Sequence, residues 1–394
     1  MSKVIAGLDH LKKYDSYQFQ GNIGLVCHAA SVDANLNHAI HVFIKQFGNR
    51  FKKIFSPQHG LVGNVQDNMV ESPHYTHPYF NLPVYSLYSE TRAPKEEWLK
   101  DLDVVFFDLQ DVGCRIYTYI YTLSLLMKVC EKMQKKVVVL DRPNPVGGVK
   151  TEGNILDTCF ASFVGMHPIP VRHGWTVGEF AKYAQKTFYP NLKLEIIPMV
   201  NWKRSMEYEE TKLPWVIPSP NLPTVDTAYT FLSSVYYEGT NISEGRGTTR
   251  SLELIGHPKF EAFKLVEHLN HSLKQTTLEG FVLRPHVFLP TFQKHMGQDC
   301  GGFQIHVLDR KKYEPWKLGQ WLMKEMYHLL GADFQWKKPP YEYVHDQLPI
   351  DVINGTDLIR HWIEKNGSYQ ELLEMDQTAH KNFESLHREF QLYT

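Results

Sequence analysis

Polar residues that could do chemistry collect where four apolar runs stop. FKKIFSP runs into Gln58 and His59, and PVYSLY into Ser89, Glu90, Thr91 and Arg92. DVVFFDLQ closes on Asp108, Gln110 and Asp111, and KKVVVL on Asp141 and Arg142. Carboxylates and a histidine can hold or move a proton, and arginines can grip an anionic substrate through paired N–H groups. In an open parallel sheet the carboxyl ends of the strands share one rim, and ligands bind in the crevice there. The repetition therefore predicts an active-site rim.

Three further stretches carry chemistry-bearing residues, each with a plainer structural reading beside it. YYEGTNISEGRGTTR, Tyr236 to Arg250, brings Glu238, Asn241, Glu244 and Arg246 among glycines that let a backbone approach a ligand. It is either a ligand loop or a loop tied by its own ion pairs. DLQDVGCRIYTYIYT places Arg115 and Tyr117 just after Asp111, as rim groups or as an ion pair organising a turn. Arg172 and His173 in RHG either donate to a ligand or cap the next helix. Paired acids on such a rim suit acid–base hydrolysis, as of a glycoside. There is no GxSxG elbow for a serine nucleophile.

The elements that must position these groups alternate. NIGLVCH, FKKIFSP, PVYSLY, DVVFFDLQ, KKVVVL and LKLEIIP read as strands. HAIHVFIKQF, the stretch from Ile116 to Met133, and TVGEFAKYAQKTF read as amphipathic helices, the last capped by Thr176 with Glu179 three residues on. The alternation predicts a doubly wound α/β layer. Four prolines between Leu213 and Thr224 forbid a regular element and mark a boundary, giving domains of residues 1–224 and 225–394. The second mixes helices near 258–273, 315–330, 356–365 and 371–391 with strands near 281–288 and 301–308.

Composition narrows the class. With 42 basic against 43 acidic residues, nothing suggests a nucleic-acid or anionic-membrane surface. The 21 tyrosines and 8 tryptophans could serve as stacking platforms for sugars, though a large core also consumes rings. Five scattered cysteines without a CxxC pair favour reduced thiols over disulfides or zinc. His74 and His77 lack a third ligand, so no metal is expected. No GxGxxG follows the first strand and no GK[ST] loop is present, so no nucleotide cofactor is expected either. MSKVIAGLDHLKKY has no signal-peptide core. That favours a cytoplasmic protein, or a periplasmic or secreted one whose leader has been removed. Oligomeric state is not readable from the sequence.

Eight motifs then occur in order: SPQHGLVG, QDNMVES, LPVYSLYSETRAP, FFDLQDVGCRIYTYIYT, VVLDRPNPVGG, SFVGMHPIPVRHGWTVGE, PWVIPSPNLPT and EGTNISEGRGTTR. Together they resemble the exo-β-N-acetylmuramidases of peptidoglycan recycling, the NamZ-type family long catalogued as a domain of unknown function. The likeness runs from GLDHL near residue 7 to PPYEY and PID near residues 339–351. It implies a Rossmann-like N-terminal domain, a smaller α/β C-terminal domain and a catalytic cleft between them. The implied reaction releases N-acetylmuramic acid from the non-reducing end of peptidoglycan fragments, with no cofactor and a small carbohydrate as partner.

One motif departs from that family. Many members have glutamate in PEHG, the favoured catalytic acid, where this chain has Gln58, and an amide can neither give nor take the proton. Three readings follow: Glu90 or Glu238 carries the chemistry, the branch cleaves a different glycoside, or the chain binds without cleaving. Glu90 is the first choice for acid–base work. Glu238, Glu244, Asp108 and Asp111 are candidates for the second carboxylate or for hydroxyl recognition. His59, Arg115, Arg142, Arg172 and Arg246 would orient the sugar, an arginine taking the lactyl carboxylate. Asn221 and Asn241 would meet the N-acetyl group. Gln58, Arg92, Tyr117, Asp141 and His173 complete the expected binding set.

Overall fold

The structure, a computed structural model, describes residues 2–67 and 69–394. Its first layer is a seven-stranded sheet built from β1 (Ile23–Cys27), β2 (Phe51–Ser56), β3 (Tyr75–Thr76), β4 (Pro83–Ser86), β5 (Val104–Asp108), β6 (Lys136–Leu140) and, after the pair β7 (Glu152–Ile155) and β8 (Pro170–Arg172), β9 (Lys193–Ile197). The order is β3-β4-β2-β1-β5-β6-β9, parallel throughout except for the short edge strand β3. All six strands expected of the first domain lie in this sheet. Side chains alternate between its two faces as the two-residue period requires. Leu25, Ile54, Phe106 and Val138 join the helix Ala39–Phe47 on one face, and Val26, Phe55, Phe107 and Val139 join the larger core on the other.

The helix foreseen from Ile116 begins only at Tyr119 and runs to Lys132. The delay has a local cause. The Arg115 N–H donates to the Val171 carbonyl at 2.7 Å and Cys114 forms a bridge with Arg172, so the chain is tied to β8 before it can wind. By contrast Val177–Phe188 carries the expected capping box, Thr176 with Glu179.

The order of the strands reverses between β1 and β5, where a ligand crevice is expected. Here the proline-rich segment fills it. The Pro218 carbonyl accepts from the Tyr119 hydroxyl at 2.8 Å and lies 3.2 Å from His28 Nδ1.

That domain holds the antiparallel sheet β10 (Leu254–His257), β12 (Cys300–Val307) and β11 (Phe281–Phe288), in that spatial order, with helices packed around it. Its C-terminal helix, Tyr369–Glu389, returns to the first domain and lies on β7. Phe383 packs on Trp175 with ring centroids 4.8 Å apart, and the Trp175 indole donates to the His387 carbonyl at 3.0 Å. One apolar core thus runs from the sheet into the second domain. Among the described residues no helix is long and apolar enough to cross a membrane.

Asp141 anchors the start of Val177–Phe188. Its carboxylate accepts from the Arg142 and Gly178 N–H groups and from the Thr176 and Tyr393 hydroxyls, at 2.5 to 3.0 Å. Burial pushes this carboxyl up to about 6 despite the four donors. Asp141→Ala would strand buried donors, and is expected to cost about 3–5 kcal/mol of stability, read by denaturant unfolding.

Candidate active site

A cleft opens where the end of β2 meets the second domain. It is lined by Gln58, His59, Tyr117, Thr118, Ser219, Asn221, Glu238, Arg246, Tyr341 and Glu342, with Phe231, Val235 and Leu252 as apolar wall. Its cavity volume is about 50 Å³.

Pro57 ends β2, and the turn beyond it holds His59 at φ 71° and Gly60 at φ 78°. The histidine sits in the left-handed region that favours glycine, a strain often met at functional sites. His59 Nδ1 lies 2.7 Å from the Val65 carbonyl, which makes Nδ1 the protonated nitrogen and leaves Nε2 as an acceptor. Burial, with the Arg246 charge beside it, lowers this imidazole to about 4, so it is neutral at physiological pH. Gln58 Oε1 accepts from the Thr118 hydroxyl at 2.9 Å, so the amide NH2 is its remaining donor.

Two glutamates come from the second domain. Glu238 lies in the 3-10 turn Val235–Gly239, accepts from the Tyr341 hydroxyl at 2.7 Å and is ion-paired with Arg246. Arg246 also reaches Glu244 at 3.1 Å, and Glu244 takes Lys294 at 2.7 Å. This alternation of two acids and two bases holds the glycine loop in place. Glu342 follows Tyr341 in a turn where it and Tyr343 have φ of 44° and 66°. Both of its oxygens face the Tyr88 hydroxyl, at 3.1 and 3.2 Å. Burial, reinforced by the negative charge of Glu238, pushes the Glu342 carboxyl up to about 7 in spite of Tyr88 and Arg92. Such a carboxyl can still hold its proton near neutral pH.

A loop of the first domain reaches across the mouth. Gln66 donates to Asn221 Oδ1 at 3.3 Å and accepts from Asn221 Nδ2 at 2.8 Å through its carbonyl. The Tyr343 hydroxyl donates to Glu71 at 2.9 Å, and Gln293 bonds Asp67. Arg92 is stacked between Tyr88 and Tyr343, 3.8 and 4.4 Å from the ring centroids.

The structure brings Gln58, His59, Tyr117, Asn221, Glu238 and Arg246 of the expected set into this one cleft. The others lie elsewhere. Glu90 is half exposed and paired with Lys95 at 2.7 Å and His74 at 3.2 Å; the lysine holds its carboxyl well below the usual range, the opposite of what a proton donor needs. Asp108 and Arg142 form a buried two-bonded ion pair at 2.6 and 2.8 Å. Asp111 closes its own turn on the Gly113 N–H at 2.7 Å and faces His173 at 3.7 Å. The fully buried Arg115 guanidinium is spent on the Asn154, Ile169 and Asn354 carbonyls. Asn241 is occupied by Asp333 and Gln335 backbone. Asp141 caps its helix, and Arg172 opens on another pocket. Arg92 and Glu244 stand behind the cleft, touching Tyr88 and Arg246.

Thr118, Ser219, Tyr341 and Glu342 were missed. Glu342 sits in a two-residue turn after PPYEY's prolines, with neither a strand end nor a helical period to mark it. Its only sequence cue is that motif.

An acid of raised affinity for its proton and a second carboxylate in one cleft are the kinds of group that glycoside hydrolysis calls for. Comparison with known proteins agrees. Residues 23–226 match the family described as exo-β-N-acetylmuramidase NamZ, N-terminal, and residues 229–393 match its C-terminal counterpart. The chain belongs to that family. It is 38% identical over 392 residues, 99% of this chain and 92% of the relative, to the peptidoglycan β-N-acetylmuramidase NamZ of Bacillus subtilis. Crystal structures of two DUF1343 family proteins from Bacteroides fragilis superpose with TM-scores of 0.85 and 0.77. Each is 28% identical and covers 100% of this chain and 99% of its own.

Proposed function

We propose that this protein is an exo-acting glycoside hydrolase that removes N-acetylmuramic acid from the non-reducing end of peptidoglycan fragments. In this reading Glu342 delivers the proton to the departing sugar oxygen and Glu238 is the second carboxylate. The observation that supports it most is Glu342 itself, a carboxyl raised to about 7 in the same cleft as an ion-paired glutamate. Gln58 keeps the place of the family's glutamate but holds Thr118 instead, so the acid function passes to a side chain from the facing domain. Neutral His59 can accept from a sugar hydroxyl through Nε2.

Incubation with the disaccharide of N-acetylmuramic acid β-1,4-linked to N-acetylglucosamine tests this. Both monosaccharides are expected as products, followed by chromatography. Gln58 favours one other reading, a muropeptide-binding protein without turnover. Saturable binding in a calorimeter with no product over hours would establish that reading and remove the hydrolase.

A further inference from the structure

Glu342 reaches the cleft on a turn of the second domain, but the group that holds its carboxyl comes from the first. Tyr88 lies just beyond β4, with its backbone tied on both sides. The Leu87 N–H donates to the Ser56 carbonyl at 2.8 Å, and the Ser72 N–H donates to the Tyr88 carbonyl at 2.9 Å. The Tyr88 side chain is fully buried, and its hydroxyl stands 3.1 and 3.2 Å from the two Glu342 oxygens. Burial and the Glu342 charge push this phenol well above its usual range, so it stays a donor. It has one hydrogen for two oxygens. Whichever oxygen it serves, the other is left to carry the proton that moves.

Arg92 braces this contact. Its guanidinium lies 3.8 Å from the Tyr88 ring centroid and 4.4 Å from that of Tyr343, the residue after Glu342. The arginine thus clamps a tyrosine of one domain to the turn of the other. Glu342 and Tyr343 both have left-handed backbones, a conformation that persists only where the surroundings over-determine it. The groups that act on the carboxyl oppose one another. Burial and the charge of Glu238 disfavour its ionised form, whereas the Tyr88 hydrogen bond and the Arg92 charge favour it. The cleft's other ionisable groups are neutral His59, Tyr341, which donates to Glu238, and Arg246, which pairs with Glu238 and Glu244.

We infer that Tyr88 is the positioning residue of the proton donor, with Arg92 as its brace. Its hydroxyl fixes the plane of the Glu342 carboxyl and stabilises the carboxylate left behind when the proton passes to the departing sugar oxygen. Tyr88 keeps its own proton throughout. This rests on the hydrolase reading with Glu342 as acid, and it makes that acid competent only where the two domains meet.

The test is kcat against pH for cleavage of the same disaccharide by the full chain, in wild type, Tyr88→Phe, Arg92→Gln and Arg92→Lys. Tyr88→Phe keeps the ring and its stack and loses the hydroxyl alone. Its kcat is expected to fall about tenfold on the low-pH plateau, the worth of one hydrogen bond to a charged group. Its alkaline limb should move to higher pH, because a carboxylate without that bond forms less readily. Arg92→Gln should move the limb the same way, and Arg92→Lys, which keeps the charge, should leave it near the wild-type position. A lower rate with an unmoved limb in Tyr88→Phe marks a merely structural side chain and overturns the proposal. If that variant fails to fold, the two Arg92 variants decide by the position of the limb. No product from wild type removes the hydrolase reading and this one with it. Product from wild type, with rate and limb unchanged in Tyr88→Phe, removes this one alone.

Discussion

Glu342→Gln is expected to lower kcat for muramic acid release by about 10²- to 10⁴-fold, the usual worth of a positioned proton donor. The pH profile carries the sharper signature. Only the protonated carboxyl can give its proton to the leaving oxygen, and burial beside Glu238 raises this group to about 7. Activity should therefore hold below that value and fall about tenfold per pH unit above it, a limb that the glutamine variant lacks. The same shift predicts a change in stability of opposite sign. A carboxyl raised on folding costs nothing below its unfolded value near 4.5, and the cost grows until the pH passes about 7. By linkage it amounts to about 3 kcal/mol at pH 8 as an upper figure. An uncharged amide removes it, so the variant should be less active yet no less stable at pH 8. Undiminished turnover with an unchanged alkaline limb would remove Glu342 from the reaction.

Those outcomes bear on how far this molecule could be read before its structure. The strands were legible because each is a short apolar run ended by polar residues, and burial on both faces of a parallel sheet writes that pattern directly. The capping box at Thr176 and the proline-rich boundary have equally local causes. The rim was legible only in part. Gln58 and His59 belong to it, but the neighbouring strand ends are used by the protein itself: Asp108 neutralises Arg142, and Asp141 holds a helix start. An acid at a strand end looks the same in sequence whether it faces a ligand or a buried arginine. Glu90 lies outside the cleft, paired with Lys95 and His74. Glu342 was invisible for the converse reason. It enters the site from a turn some 280 residues away, placed by tertiary packing against Tyr88 and not by any periodicity near it.

Glu238→Gln tests the other half of the pair, and its effect on pH dependence separates a chemical role from a structural one. The fold should tolerate it. The amide oxygen can still accept from Tyr341, and Arg246 keeps Glu244, which Lys294 also holds. A loss of about 10³-fold in kcat is expected if this carboxylate acts as base or nucleophile. Glu238 is also one reason Glu342 keeps its proton, because its negative charge disfavours a second one nearby. Removing that charge should move the alkaline limb of the residual activity to lower pH, since Glu342 then ionises more readily. Combined with Glu342→Gln the loss should fall well short of the product of the two single losses, as for residues that act as a unit. A glutamate that only braced the loop would give different results: a change in unfolding midpoint, a modest fall in rate, an unmoved limb and multiplicative losses in the double variant.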